Sequence, residues 1–125
     1  MKFFVIGGLL LSSSCFAQKL PPACEQYFAA VEACTENAVS VYSRTDTKTA
    51  KSLQESLADF KKTRSSIHEE ALKVGADTVN ERCTQPQFTN GMVQHLQNTV
   101  SVLTLTQTID ASCMTKFRAI ILPQG

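Results

Sequence analysis

Apolar residues in the first third of the chain recur at alternating three- and four-residue spacing, the pattern of one face of an α-helix. Pro21 and Pro22 precede this stripe, where a missing N–H is tolerated because the first helical amides have no intrahelical partner. The pattern predicts a first helix over residues 22–43. The stripe positions are Cys24, Tyr27, Val31, Cys34, Ala38 and Val41.

A second stripe follows in the same register and is interrupted only by Arg64. Its positions are Ala50, Leu53, Leu57, Phe60, Ile67, Ala71 and Val74. The segment Thr45-Asp46-Thr47 supplies N-cap chemistry and Gly75 suits a C-terminal cap, so a second helix is predicted over residues 46–74. Because the link between the two helices is short, they should form an antiparallel hairpin. Arg64 either extends its charged end into water at the bundle edge or pairs with an acid across the interface.

The last third of the chain contains "TVSVLTLTQTI", whose partial alternation of β-branched residues is a strand signal. No partner strand is evident, and an isolated strand would leave its backbone groups unpaired. Helices are therefore predicted over 90–106 and 109–121, with a kink or break near 104–110. Residues 76–91 should form a connection with one short helical turn at 78–83. The predicted fold class is all-α, a three- to four-helix bundle.

The first residues, "MKFFVIGGLLLSSSCFA", have the three-part plan of a secretory signal peptide: a basic Lys2, an apolar run and small residues. The sequence predicts a signal peptide at 1–17, cleaved after Ala17, and a single periplasmic domain at 18–125. The alternative is an outer-membrane lipoprotein acylated at Cys15. The apolar run is shorter than the roughly 20 residues that cross a bilayer, so no transmembrane segment is expected.

The charge balance of the mature chain argues against two classes of partner. The whole sequence has 12 Lys and Arg against 11 Asp and Glu, and removing Lys2 leaves 11 of each sign. There is no basic excess to bind nucleic acid or an anionic membrane surface. The sequence also lacks the HExxH, GxSxG, P-loop and dinucleotide motifs, so no cofactor is predicted.

Four cysteines follow the signal peptide, which in a small exported chain is typical of two disulfides. Cys24 and Cys34 lie roughly 15 Å apart along the predicted helix, and a disulfide needs Cα atoms within about 7 Å. Each must therefore bond to a later segment. The hairpin returns Cys83 to the neighbourhood of Cys24, which favours Cys24–Cys83 with Cys34–Cys113. The alternative pairing, Cys24–Cys113 with Cys34–Cys83, fits a third helix that runs the other way.

One cluster of titratable residues offers candidate chemistry. His68 and Glu69, followed by Glu70, lie on the second predicted helix near its end, and His95 lies near the start of the third. Two histidines and a carboxylate suit a transition metal, so the alternative function is a small metal-dependent hydrolase using His68, Glu69 and His95. The other interpretation of the cluster is an exposed helix face, and no metal site is predicted.

The segment from Cys83 to Ile109 contains no Lys, Arg, Asp or Glu. Its helix should pack one apolar side on the hairpin and leave the opposite side partly covered. Charged residues are depleted at the cores of protein interfaces, so this side is the candidate interaction face. It consists of Gln94, Gln97, Asn98 and Ser101. The predicted function is a non-enzymatic periplasmic binding protein (an inhibitor, immunity or chaperone-like factor) whose partner is another exported protein or a second copy.

The order of signal peptide, "LPPACEQYFAAVEAC", charged middle helix and "ERC" resembles an uncharacterised family of small exported helical proteins of Gram-negative bacteria. The family's early cysteine and aromatic residue are matched by Cys24 and Tyr27, and its later cysteine by Cys83. The match covers roughly residues 20–85; Cys34, Cys113 and the uncharged last third depart from it. The resemblance implies a periplasmic location and a helical fold, and no activity.

Overall fold

The computed structural model describes residues 20–121, so the predicted signal peptide, its cleavage site and Cys15 lie outside the described residues. This range contains five helices and no strand, which confirms the all-α fold class. No helix in the range is both long enough and apolar enough to cross a membrane. The helices are α1 (Pro22–Thr45), α2 (Thr47–Val74), α3 (Ala76–Arg82), α4 (Pro86–Leu105) and α5 (Ala111–Ile121).

The first helix, α1, is the centre of the bundle and contacts each of the other four described helices. It forms the predicted antiparallel hairpin with α2, and a one-residue link at Asp46 joins them. The Asp46 side chain accepts a hydrogen bond from the Thr49 backbone N–H at 3.1 Å, which caps the start of α2. On the other sides of α1, α4 runs parallel to it and α5 runs antiparallel.

Two disulfides join α1 to the later segments, and they are the favoured pair. Cys24 bonds to Cys83 with Cα atoms 5.1 Å apart, and Cys34 bonds to Cys113 at 4.5 Å. All four cysteines are buried. The alternative pairing is not formed, because α4 runs parallel to α1 and the chain then turns back into α5.

That turn lies within the predicted break, at residues 106–110. Gln107 has φ of 58°, in the left-handed region that costs a non-glycine residue about 1–2 kcal/mol. The buried side chain of Asn37 holds the turn to α1: its amide donates to the Thr108 carbonyl at 3.1 Å, and its oxygen accepts from the Asp110 N–H at 2.8 Å. Asp110 in turn accepts from the Cys113 N–H at 2.8 Å and so caps α5.

Two boundaries differ from the prediction. The expected single turn at 78–83 is a seven-residue helix, α3, because Val79 is buried and anchors it against the bundle. The helix predicted to begin at residue 90 begins at Pro86, since proline is favourable in the first helical turn. The prediction had placed Pro86 in the connection.

The buried residues form two clusters, one around each disulfide. The lower cluster includes Leu20, Phe28 and Val79 with Cys24–Cys83. The upper cluster surrounds Cys34–Cys113 and includes Ala30, Val31, Ala38, Leu96, Val100, Leu103 and Phe117. Neither cluster contains a buried residue from α2, and Ala50 is the one buried residue of that helix. The side of α2 away from α1 is therefore largely unpacked.

Candidate functional site

The predicted interaction face is exposed along α4. Gln94, Gln97, Asn98 and Ser101 are all exposed, and we call these four residues the outer face. On the opposite side of the helix, Leu96, Val100 and Leu103 are buried against the bundle. This division follows directly from helical periodicity, because residues three and four apart share a face.

The outer face continues into two exposed apolar side chains that the sequence analysis did not assign to it. Val102 is 42% exposed and Leu105 is 83% exposed. Leu105 lies seven residues after Asn98 and four after Ser101, so it falls on the same side of the helix. The upper end of α4 therefore presents uncharged amides and hydroxyls next to apolar surface.

A groove lies beside this face, between α2 and α4. Both helices pack on α1 but make little contact with each other, so the floor of the groove is α1. The floor residues recur at three- and four-residue spacing along α1. They are Val31, Thr35, Ala38 and Tyr42.

The two walls of the groove show the same helical spacing. Helix α2 contributes a row with Leu53, Leu57 and Phe60, and α4 contributes a row with His95, Thr99 and Val102. The groove comprises two adjoining cavities of about 280 Å³ and 170 Å³. Among the described residues, no Lys, Arg, Asp or Glu lines either cavity.

The groove could not be predicted from the spacing of the apolar residues. Leu53, Leu57 and Phe60 lie on the second stripe, which was expected to pack on the bundle, and all three are only half-buried. Periodicity identifies the side of a helix that meets the bundle, but not how far the neighbouring helix covers it. The available signal was a pair of small polar residues beside the stripe, Thr49 and Ser56, which line the groove.

The structure separates the residues of the proposed hydrolase site. His95 lines both cavities opposite Leu53 and Phe60, whereas His68 lies eight residues after Phe60, roughly 12 Å further along α2. In the described part of the chain, no three His, Cys, Asp or Glu residues are grouped so that they could hold a metal ion. His68, Glu69 and His95 are thus not brought together.

Glu70, two residues after His68, lines a small cavity at the lower end of the bundle. It pairs with Arg82 at 3.3 Å across an exposed salt bridge. Ile67, Val79, Cys83 and Phe88 complete the lining of this cavity, which measures about 140 Å³. An exposed ion pair of this kind contributes roughly 0–1 kcal/mol to stability, so this pair adds little to the stability of the lower end of the bundle.

Arg64 follows the second of its two predicted interpretations, because it pairs with acids across the α1–α2 interface. Its guanidinium lies 2.6 Å from Glu25 and 2.8 Å from Glu32, and 5.9 Å from the centre of the Phe28 ring. Burial lowers the pKa of Arg64, but the hydrogen bonds that its guanidinium donates to Glu25 and Glu32, together with the negative charges of these two residues, outweigh burial, so the pKa is raised overall. This cluster is a crosslink between two helices and does not line the groove.

Comparison of the chain with protein-family models, with curated proteins and with solved structures yields no match.

Proposed function

We propose that the protein is a non-enzymatic, exported binding protein whose outer face contacts another exported protein. The observation that carries this proposal is the composition of α4, a 20-residue helix without a charged residue. Its exposed side places Gln97, Asn98 and Ser101 next to Val102 and Leu105. An exposed helix surface of this composition contrasts with α2, which carries many charged side chains on its solvent side.

The physical basis of the proposal is the cost of removing polar groups from water. A charged side chain is expensive to bury without a partner, whereas an amide or hydroxyl is buried at low cost once it finds a hydrogen bond. Interface cores are accordingly depleted in charge. The outer face offers hydrogen-bonding groups next to an apolar end, so a partner can cover it without burying an unpaired charge.

The proposed location is supported by the disulfides and by the predicted signal peptide. Two buried disulfides suit an oxidising compartment, and we propose the periplasm. The residues that carry the family resemblance also have a shared place in the fold. Cys24 bonds Cys83 in the lower cluster, and the Tyr27 ring meets Phe88 edge-on at 5.7 Å.

The experiment that tests the proposal is co-purification from the periplasm with matched variants. Ser101→Lys and Leu105→Ser should release the partner, because one places a charge on the outer face and the other removes apolar area. Leu72→Ser is the control, since Leu72 is 75% exposed but lies on α2, away from α4. Its partners should be those of the wild type.

Two outcomes would count against this proposal. An identical set of partners for the wild type, Ser101→Lys and Leu105→Ser would remove the outer face from consideration. A dimer in sedimentation that Ser101→Lys converts to monomer would identify the partner as a second copy, and the proposed heterologous partner would be wrong.

A further inference from the structure

We infer that this chain is a substrate of a thiol–disulfide isomerase, which exchanges two non-native disulfides for the native pair. The non-native bonds join cysteines that are neighbours in the sequence, Cys24 with Cys34 and Cys83 with Cys113. The native bonds are crossed instead, since the first of these four cysteines bonds to the third and the second to the fourth. This route concerns how the fold is reached and does not involve the outer face or its proposed partner.

Loop length favours the non-native bonds while the chain is unfolded. Cys24 and Cys34 are ten residues apart in the sequence, whereas the native loops span separations of 59 and 79 residues. The free-energy cost of closing a flexible loop of n residues rises as (3/2)RT ln n. Closure of the ten-residue loop is therefore favoured about 14-fold over the first native loop and about 22-fold over the second.

The order of export acts in the same direction. The predicted signal peptide delivers the amino-terminal end first, so Cys24 and Cys34 enter the oxidising compartment while Cys83 is still 49 residues behind. Helix α1 does not hold the first two cysteines apart at this stage, because most of the stability of a protein helix comes from tertiary packing. The helices that pack on α1 have not yet emerged. The bond between the first two cysteines therefore forms first.

The Cys24–Cys34 bond is incompatible with the native fold. In α1 these cysteines are separated by roughly 15 Å of helix axis, and a disulfide needs Cα atoms within about 7 Å, so α1 must unwind between them. Phe28, Ala30 and Val31 lie in that segment, where Phe28 belongs to the lower cluster and the other two to the upper cluster. The non-native isomer should therefore lack both clusters, and packing favours its conversion to the native isomer.

Once both non-native bonds have formed, the mature chain has no thiol left, so a thiolate must come from outside. The external thiolate attacks the Cys34 sulfur, breaks its bond to Cys24 and forms a mixed disulfide. The released Cys24 thiolate attacks the Cys83 sulfur and displaces Cys113 as a thiolate. Cys113 then attacks Cys34 in the mixed disulfide, which forms the second native bond and returns the external thiolate. Two disulfides are present before and after, so the thiol acts as a catalyst and no oxidant is consumed.

The native bonds are protected from the same attack. In the native fold each of the four cysteines is at most 4% exposed. Thiol–disulfide exchange depends on access of the attacking thiolate to sulfur, so an external thiol reaches the misbridged chain and not the folded one. The isomerase therefore acts until the clusters form and then releases the chain.

The test maps the disulfides of reduced, unfolded mature protein after oxidation with diamide, which supplies no thiol. Residues 20–43 and 83–115 contain no Lys or Arg, so one tryptic peptide carries the first two cysteines and another carries the last two. The non-native bonds leave these two peptides separate, and the native bonds join them. We expect separate peptides, each with an internal disulfide, to predominate after oxidation, with a helix signal in circular dichroism below that of the native protein.

The second step of the test removes diamide and adds reduced glutathione, or a catalytic amount of a purified disulfide isomerase. Either addition should join the peptides and restore the native helix signal at least tenfold faster than buffer alone. Cys34→Ala/Cys113→Ala is the control, because it keeps one native pair and cannot bond neighbouring cysteines. Its peptides should already be joined after diamide, and glutathione should not increase the joined fraction. Peptide mapping measures this whether or not the variant folds.

Four results would contradict the proposed route. Joined peptides as the first oxidised product of the wild type would show that the native bonds form directly. Rearrangement at the same rate in buffer alone would show that no external thiol is needed. A native helix signal in the isomer with separate peptides would show that the Cys24–Cys34 bond is compatible with α1. Acceleration by glutathione but not by the isomerase would contradict the enzymatic part. None of these results depends on the partner of the outer face.

Discussion

Asn37 on α1 and Asp110 at the start of α5 are joined by a hydrogen bond, in which the Asp110 N–H donates to the Asn37 side-chain oxygen at 2.8 Å. The Cys34–Cys113 disulfide joins the same two helices three residues earlier on α1 and three residues later in the chain. The antiparallel direction of α5 on α1 is thus fixed by a buried amide and a covalent bond at successive turns.

Asn37→Ala should lower the free energy of unfolding by about 2–4 kcal/mol. The substitution leaves the Thr108 carbonyl and the Asp110 N–H, both in part-buried hydrogen bonds, without their partner. An unpaired polar group costs about 1–3 kcal/mol when it is buried, and the lower values apply where water can reach it. Urea unfolding of the oxidised protein measures the change. Asn98→Ala, on the exposed outer face, is the control and should stay within about 0.5 kcal/mol of wild type. Equal losses of unfolding free energy in the two variants would show that the Asn37 hydrogen bonds do not stabilise the contact between α1 and α5.

The two disulfides should contribute nearly equally to stability. The closed loops span sequence separations of 59 and 79 residues. The logarithmic dependence of chain entropy on loop length gives about 4 kcal/mol for each. The Cys24→Ala/Cys83→Ala and Cys34→Ala/Cys113→Ala variants should therefore lose similar free energy in urea unfolding.

Removing both disulfides should leave the domain unfolded, since about 8 kcal/mol is comparable to the whole stability of a small domain. Circular dichroism of the four-alanine variant measures this.

A difference of more than about 2 kcal/mol between the two variants that each lack one disulfide would show that local packing, and not loop entropy, sets their contributions.

Much of this architecture could be predicted from the sequence because it depends on short-range regularities. The stripe through Cys24 and Cys34 defines one face of α1, and 15 Å of helix forbids those two cysteines from bonding each other. The break before α5 was predicted from a change of register near residues 104–110. These features need only helical periodicity and the reach of a disulfide.

Other features depend on contacts between distant segments and leave no local signal. Asn37 is one polar residue beside an apolar stripe, and its buried role depends on a turn 71 to 73 residues later. The groove likewise depends on how far apart α2 and α4 lie on α1. Nothing in the spacing of Leu53, Leu57 and Phe60 indicates that separation.

The link between α1 and α2 should show an acid-dependent contribution from Asp46. Its carboxylate accepts from the Thr49 hydroxyl at 2.7 Å and from the Thr49 N–H, and these bonds hold the pKa of Asp46 below its ordinary value of 3.8. A lowered pKa means that the stabilisation is present above pH 3.8 and is lost as the pH falls through the folded-state pKa.

Asp46→Asn keeps an oxygen acceptor and removes the titration. The wild type should therefore melt at a higher temperature than Asp46→Asn at pH 7, and the gap should narrow as the pH falls below 3.8 and through the lowered folded-state pKa of Asp46. In a Thr49→Val background the gap at pH 7 should be smaller, because the hydroxyl donor is gone. A gap that is constant from pH 7 to pH 2 would show that the charge of Asp46 does not contribute to capping.

Arg64, Glu25 and Glu32 form an ionic cluster between α1 and α2. The Arg64 side chain is 12% exposed, with Glu25 and Glu32 at 24% and 18%, so the cluster lies between an exposed ion pair and a fully buried one. Arg64→Met leaves two half-buried carboxylates without their cation and should cost about 2 kcal/mol. The raised pKa of Arg64 keeps it protonated below strongly alkaline pH, so its own titration adds no pH dependence between pH 6 and pH 9.

A triple variant separates the ion pairing from the packing. Arg64→Met combined with Glu25→Gln and Glu32→Gln removes all three charges together and should recover most of the lost stability, because a buried ionic cluster is often replaceable by uncharged residues of similar volume. Lys61→Met is the matched control, since Lys61 pairs with Glu36 at 3.7 Å in an exposed contact and should change stability by less than about 0.5 kcal/mol. A triple variant no more stable than Arg64→Met would mean that Arg64 joins α1 and α2 through the shape of its side chain over Phe28 and not through its charge.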